Sequence, residues 1–417
     1  MKRMKITKIL ARQVLDSRGN PTVQAEVYSN NFIGSATVPS GASTGKYEAL
    51  ELRDKEKDFH GLSVLKAINN VNSIIKKNII NKNFSSQNDF DKVLIDLDGT
   101  PNKSNLGANS ILAVSLAFSR CFAKFKNKEL FETFGKRFVI PMPFSNVING
   151  GKHADDDLKI QEFMIVPVGA KSFSEATKMI SEVYHTLKQD IEIKFGKNKS
   201  NVGDEGGFAP PVSSASDALD LISKAIDENG YSKDIKFALD CAASEFFDNT
   251  HYNIKNDLNI SSPKLIDYYS KLLKSYPIIS IEDPFDQDDI NSFREFNKKF
   301  GRKIQIVGDD LLVSNSMRIE LALKNKLCNS LLLKVNQIGS LTEALDAANI
   351  AFKNKWKVMV SHRSGETEDS FIADLAVGLG CGQIKIGSPR GSERTSKYNR
   401  LLKIEELLNK KAKFARI

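Results

Sequence analysis

From about residue 235 the chain repeats one pattern, a short apolar run closed by a charged or ionisable residue. "IKFALD" ends in Asp240, "YPIISIED" carries Glu282, "IQIVGDD" carries Asp309, "SLLLKVN" carries Lys334, "KVMVSHR" carries His362 and "GQIKIG" carries Lys385. The steps between these residues are 42, 27, 25, 28 and 23 positions. One βα unit needs a strand of about 5–6 residues, a helix of about 11 and two short loops, so every step but the first fits one unit. The stretches between read as helices: in "SLTEALDAANIAF", Ser340 and Glu343 have capping-box spacing, and Leu341, Ala344, Leu345 and Ala348 share a face. Repeated units of this length predict a parallel sheet. No GxGxxG follows an early strand, and polar residues close strand after strand. That distribution suits the C-terminal mouth of a closed TIM-like (β/α)8 barrel better than the single switch point of an open sheet.

The first third has a different rhythm. "TVQAEVYS" puts Val23, Ala25 and Val27 on one face of an antiparallel strand. A small-residue loop, "PSGASTG" (39–45), follows, and from about 61 to 135 apolar spacing turns helical, most clearly in "GANSILAVSLAFSRCFAKF" (107–125). Strands followed by helices predict a small α+β domain. The Pro- and Gly-rich "VIPMPFSNVINGG" (139–151) reads as the junction. The expected organisation is an N-terminal α+β capping domain over 1–135 and a C-terminal α/β barrel over 136–417.

With 41% hydrophobic and 27% charged residues among 417, the chain can bury a large core. The net charge of +9 and pI of about 9.1 raise nucleic acid or an anionic ligand as partners. The lysines are spread in pairs, as in "IIKKNIINKN", and read as solvated helix faces. No RNP, zinc-finger or zipper pattern is present, so nucleic acid is not the expected primary partner. No apolar run approaches the ~18–20 residues that span a bilayer, and the basic start lacks the apolar core of a secretory signal. Cys121, Cys241, Cys328 and Cys381 are scattered, which predicts reduced thiols in a cytoplasm.

Asp240, Glu282 and Asp309 on successive strands would repel one another if unpaired. An oxygen-only set of that charge suits a hard divalent cation, Mg²⁺ before others, whereas any one of them alone reads as a cap or an ion pair. Beside a dication, the Lys334 ammonium would be disfavoured and its pKa would fall, fitting it as a general base. A plain salt bridge to Asp309 and a Schiff-base nucleophile remain alternatives. In "VSHRSGETED", Arg363 and Ser364 beside His362 suit phosphate or carboxylate oxygens, or else form a polar loop with a capping serine. "VGDEGGFAP" sets Asp204 and Glu205 among glycines that allow close backbone approach, and "NGGKHADDDLKIQEFM" holds His153 and Glu162. Taken alone, each of these two stretches is equally a turn.

Laid out together, these residues resemble the enolase family of glycolytic lyases nearly end to end. "DSRGNPTV" (16–23), "VPSGASTG" (38–45), "SNLGANSILAVSLA" (104–117), "GDEGGFAP", "SIEDP" (280–284), "LLLKVNQIG", "SHRSGETED" and "IKIGSPRGSER" (384–394) occur in the family's order. The resemblance implies dehydration of 2-phosphoglycerate to phosphoenolpyruvate, with two Mg²⁺ per site, the second arriving with substrate. It implies that Asp240, Glu282 and Asp309 hold the first ion and Ser43 helps hold the second. Lys334 would remove the C2 proton, and Glu205, supported by Glu162, would assist departure of the C3 hydroxyl. Arg363 and Ser364 would hold the phosphate, Lys385 would meet the substrate carboxylate, His362 would line the site and His153 would close over it. A cytoplasmic homodimer is implied as well.

The chain departs from the family at several positions. Arg390 precedes Gly391 where an arginine is usual one place later. Lys159 stands where an acidic or neutral residue is usual. Gln24 replaces a glutamate that would pair across the dimer with Lys403. Two other readings compete. A non-catalytic scaffold would be expected to have lost some of Lys334, Glu205 or the carboxylate trio, and none is lost. An acid-sugar dehydratase or racemase on a related barrel takes unphosphorylated substrates, which the Arg363/Ser364 pair and the serine loop disfavour.

Overall fold

The N-terminal alternation folds as a three-stranded antiparallel meander, Lys8–Leu15, Pro21–Ser29 and Phe32–Thr37. The computed structural model describes residues 3–153, 158–254 and 259–417. Val23, Ala25 and Val27 are buried against the helix Ala108–Phe125, which is apolar nearly all round and buried along most of its length. That contact is close because strand 32–37 carries Gly34, where an added Cβ would lie 2.0 Å from the Ala117 carbonyl. The helix Gln87–Asp98 packs against helix 108–125 through stacked Phe90 and Phe118, with centroids 3.9 Å apart.

The rest of the chain forms a closed eight-stranded barrel. In chain order the strands are Met142–Asn149, Glu162–Val166, Lys236–Asp240, Ile278–Glu282, Gln305–Gly308, Ser330–Leu333, Lys357–Ser361 and Gly382–Lys385, which pairs back onto the first. The barrel centre is filled by Met142, Phe144, Met164, Val166, Ala238, Val307, Leu332 and Met359, a packed core with no pore. All six residues marked by the sequence rhythm end a barrel strand or directly follow one.

One expectation changes, and two stretches gain detail. The sheet is not wholly parallel: Glu162–Val166 runs antiparallel to both neighbours. A run buried on both faces has the same hydropathy in either direction, so its polarity is not written in its pattern. The stretch 139–151, read as the junction, contains the first barrel strand, the fully buried Met142–Asn149. Pro143 is tolerated near its start, where a missing donor disrupts the ladder least. The long first step, from Asp240 to Glu282, holds a short turn, Ala243–Phe246, and a small ribbon, Tyr252–Asn253 with Asn259–Ile260, ahead of the helix Ser262–Ser275.

Caps begin the outer helices. Ser172, Ser214 and Asp289 each accept a backbone N–H from the third residue on. Ser340 does so for Leu341–Lys353, but the other half of the expected box is absent. The Glu343 carboxylate turns to the Ser340 hydroxyl and to Lys103 of the N-terminal domain, 2.9 Å away. Further links join the domains. Asp91 accepts from the Thr342 N–H and hydroxyl at 2.9 and 2.7 Å. Arg120 makes a two-pronged pair with Asp369, both contacts 2.6 Å.

Candidate active site

The strand ends meet over one hollow at the C-terminal end of the barrel. Ser43, His153, Gln161, Glu162, Glu205, Lys334, Ser361, His362, Arg363, Ser364 and Lys385 line it. Its volume is about 10 Å³, room for roughly one water molecule. Nine of the residues picked out from the sequence are therefore at one place. The reversed strand explains one of them: Glu162 begins its strand yet pairs in register with Asp240, which ends its own.

Glu205 comes from a loop between the helices Phe173–Phe195 and Ala215–Glu228. That loop can press onto the end of strand 142–149 because Gly203 and Gly207 lack side chains. A Cβ at Gly203 would lie 2.1 Å from the His153 carbonyl, and one at Gly207 would lie 2.4 Å from Asn149 Oδ1. Asn146 Nδ2 donates to Glu205 Oε2 at 3.1 Å. His362 Nε2 stands 3.4 Å from the same oxygen, and His153 Nδ1 lies 3.6 and 3.7 Å from Glu162 and Glu205. Burial, with Glu205 close by, pushes the Glu162 carboxyl well above the usual carboxylate range. Burial also drives His362 down to about 3, so its imidazole is neutral at ordinary pH.

Charge at the rim is paired. Lys385 Nζ lies 2.8 Å from Asp240, 2.9 Å from Glu282 and 3.0 Å from Glu162. Burial opposes ionisation of Asp240, but Lys385 outweighs it and holds this carboxyl below its usual range. Glu282 is pushed well above it by burial and by the Asp240 charge. Lys334 Nζ contacts Asp309 Oδ2 at 2.5 Å, and Gln337 donates to Asp309 Oδ1 at 2.7 Å. The expected fall in the Lys334 pKa was tied to a neighbouring dication; the protein groups by themselves act the other way. Burial favours a fall, but the adjacent Asp309 overcomes it and raises the ammonium above its ordinary value.

The three carboxylates expected to hold the metal are each engaged by a lysine. Among the described residues, the groups whose ligand atoms lie within 4.8 Å of one another are His153, Glu162 and Glu205, and Asp283, Asp309 and Asp310. Asp240 and Glu282 are drawn to Lys385, and Asp309 is drawn to Lys334. The donor set still fits a hard cation. Glu282 Oε2 is buried with no hydrogen-bond partner, and both strand-end carboxylates offer only oxygen. Acidic clusters able to hold a metal are thus present at this rim.

Arg363 is engaged by Glu48 at 3.1 and 3.2 Å, by Asn336 at 3.1 Å and by the Ser43 carbonyl at 3.0 Å. Ser364 Oγ accepts the Ala42 N–H at 2.7 Å. The 39–45 loop is thereby folded over the hollow.

Two profiles match the chain: the enolase N-terminal domain over residues 6–134 and the enolase C-terminal TIM barrel domain over residues 137–417. Full-length relatives agree. The enolase of Methanocaldococcus jannaschii is 54% identical over 409 residues, covering 97% of this chain and 96% of its own. That of Thermococcus gammatolerans is 53% identical over 97% of this chain and 95% of its own, and that of Pyrococcus furiosus 51% identical over 98% and 96%. The chain belongs to the enolase family. It is accordingly a lyase, built as an enolase N-terminal domain and an enolase TIM barrel.

Two residues packed around the hollow were not singled out from the sequence. Arg394 is fully buried and donates to His362 Nδ1 at 2.8 Å and to the carbonyls of Arg363, Ser364 and Asp204 at 2.6, 2.7 and 2.9 Å. Its donation to Nδ1 leaves the His362 proton on Nε2, facing Glu205. Asp283 follows Glu282 at φ 37° and accepts the N–H groups of Asp309 and Asp310 at 2.9 and 2.6 Å, which fixes the neighbouring strand end. Both lie inside quoted motifs, "GSER" and "IEDP", and that was the available signal. Of the departures, Gly391 has a local reason. It takes φ 79°, a conformation that favours glycine, and a Cβ there would lie 2.3 Å from the Glu393 carboxylate. Gln24 accepts from Arg12 at 2.6 Å within its own chain.

Proposed function

We propose that the chain catalyses the reversible dehydration of 2-phosphoglycerate to phosphoenolpyruvate, with Mg²⁺, in glycolysis and gluconeogenesis. What supports this reading is the convergence of Lys334, Glu205, Glu162, His362, Arg363, Ser364, Lys385 and Ser43 on one buried hollow. A proton α to a carboxylate is hard to remove because a second negative charge develops on the same group. Mg²⁺ held by Asp240, Glu282 and Asp309, with a second ion near Ser43, would supply positive charge to those oxygens. Lys334 takes the C2 proton. It must first become neutral; Asp309, if it held a cation, would no longer favour the Lys334 charge. Burial favours the proton on Glu162, and this proton would pass through Glu205 to the departing C3 hydroxyl, with neutral His362 alongside. Arg363 and Ser364 hold the phosphate, Lys385 meets the substrate carboxylate, and His153 covers the site. Admission of a three-carbon phosphate requires the 39–45 loop to lift from Arg363 and Ser364.

The experiment is an assay of purified protein with 2-phosphoglycerate, following the ultraviolet absorbance of the enol product, with and without EDTA. Turnover that EDTA abolishes supports the reading; folded protein inactive with Mg²⁺ present overturns it. The same reading includes a division near residues 135/136, a cytoplasmic location and a homodimer involving the face around Gln24 and Lys403. Light scattering on the eluted protein tests the dimer, and a single-chain mass would refute it.

A further inference from the structure

The opposite end of the barrel carries a second concentration of charge, unlike the first. A depression of about 560 Å³ opens among the strand beginnings, within the size range of small-molecule sites. Lys236 and Lys357 are the first residues of their strands, Arg302 and Lys303 come from the turn before Gln305, and Lys355 from the turn before Lys357. No Asp, Glu or aromatic side chain lines it. Among the described residues, none of the five cations has an acidic partner within 4.0 Å, although many other lysines and arginines do. The walls are already set. Asn329 Nδ2 donates to the carbonyls of Gly301 and Ile304 at 2.9 and 3.1 Å, and its Oδ1 accepts the Ile306 N–H at 2.8 Å. The turn that carries Arg302 and Lys303 is therefore held in place without a ligand.

Five like charges around one concavity repel one another and focus positive potential into it. Four are lysines, compact point charges that do not demand the planar geometry of a carboxylate. With no aromatic ring to stack on, a nucleobase would find no platform. We propose that this depression is a binding site for a small polyanion bearing several phosphate groups, held by Lys236, Arg302, Lys303, Lys355 and Lys357. The ligand is read by its phosphates, so an inorganic oligophosphate and the phosphate chain of a nucleotide are equivalent at first contact. The site gives a local use to part of the chain's excess of cations, and it is independent of the reaction at the other end.

The test is calorimetric titration of inorganic tripolyphosphate into the full-length protein at low salt without divalent ions. Parallel arms use orthophosphate, ATP and a single-stranded oligonucleotide. The expected result is saturable binding at one site per chain, weaker for orthophosphate and similar for ATP. Arg302→Glu with Lys303→Glu should weaken it at least about tenfold, because two attractions become repulsions. Lys76→Glu with Lys77→Glu, the same charge change on an exposed helix elsewhere, should leave it nearly unchanged. If the first double variant does not fold, Lys355→Ala, at an exposed turn, should still weaken binding several-fold. Absence of saturable binding at millimolar tripolyphosphate, equal loss in both double variants, or binding of the oligonucleotide alone would overturn the proposal.

Discussion

The two ends of the barrel are built from the same strands, and both gather charge, but the charges are handled in opposite ways. At the C-terminal end Lys385, Lys334 and Arg363 each touch carboxylates, and the space left among them is about 10 Å³. At the N-terminal end five cations face about 560 Å³ with no carboxylate side chain among them. Burial separates the cases. A buried charge must be compensated within the protein, whereas an exposed one is compensated by water and salt. The presence of charge does not separate the ends; mutual pairing marks the end where substitutions should be costly.

The largest expected break in this contrast is Lys334→Ala. Loss of the proposed base should lower turnover by about 10²–10⁴-fold, and because Asp309 then keeps only its bond from Gln337, the melting midpoint should fall while the chain stays folded at the assay temperature. Retained turnover removes Lys334 from that role. Next is Lys385→Met, measured by denaturant unfolding in EDTA. It leaves Asp240, Glu282 and Glu162 without their shared ammonium, and removal of one partner from a buried ionic cluster costs about 3–5 kcal/mol. Added Mg²⁺ should restore much of this, and an unchanged midpoint would show that the ammonium is not what compensates them. Arg394→Lys should lower kcat/KM by about 10–100-fold through misplacement of His362, with altered nitrogen shifts of that ring; unchanged shifts would rule out the positioning role.

A pH experiment sharpens the contrast with a smaller effect. Unfolded His362 takes up a proton near pH 6.5, while in the folded chain burial delays uptake until about pH 3. Between those values the unfolded state holds the extra proton, so stability rises with pH and falls as the solution is acidified. His362→Gln should flatten the slope of stability against pH in that window, and an unaltered slope would assign it to other groups. Smallest of all, Lys355→Ala at the open end should change stability by no more than about 0.5 kcal/mol and leave turnover alone. A larger loss would mean that the cations there support the fold.

Much of this was legible in the chain because period and chemistry coincide. Asp240, Glu282, Asp309, Lys334, His362 and Lys385 each interrupt an apolar run at its end, and a barrel gives such positions one common rim. The direction of 162–166 was not legible, since reversing a buried strand leaves its composition unchanged. Strand 142–149 was not picked out within the junction because Pro141, Pro143, Gly150 and Gly151 are residues that usually punctuate. Nor was the pairing itself legible. Which carboxylates Lys385 reaches, or that Glu48 would take Arg363, depends on side chains crossing between strands and between domains, and no local pattern records that.

The links between the domains have a kinetic consequence. Swinging the N-terminal domain away would strand Asp91 and break the Arg120–Asp369 and Lys103–Glu343 pairs together, a barrier no single encounter with a small molecule supplies. Among the described residues, the lightly held part of the rim is the stretch around Ala42 and Ser43, with single bonds to Ser364 and Arg363. On the proposed reaction, a stiffer or looser stretch there would retune throughput without touching any group assigned to move a proton.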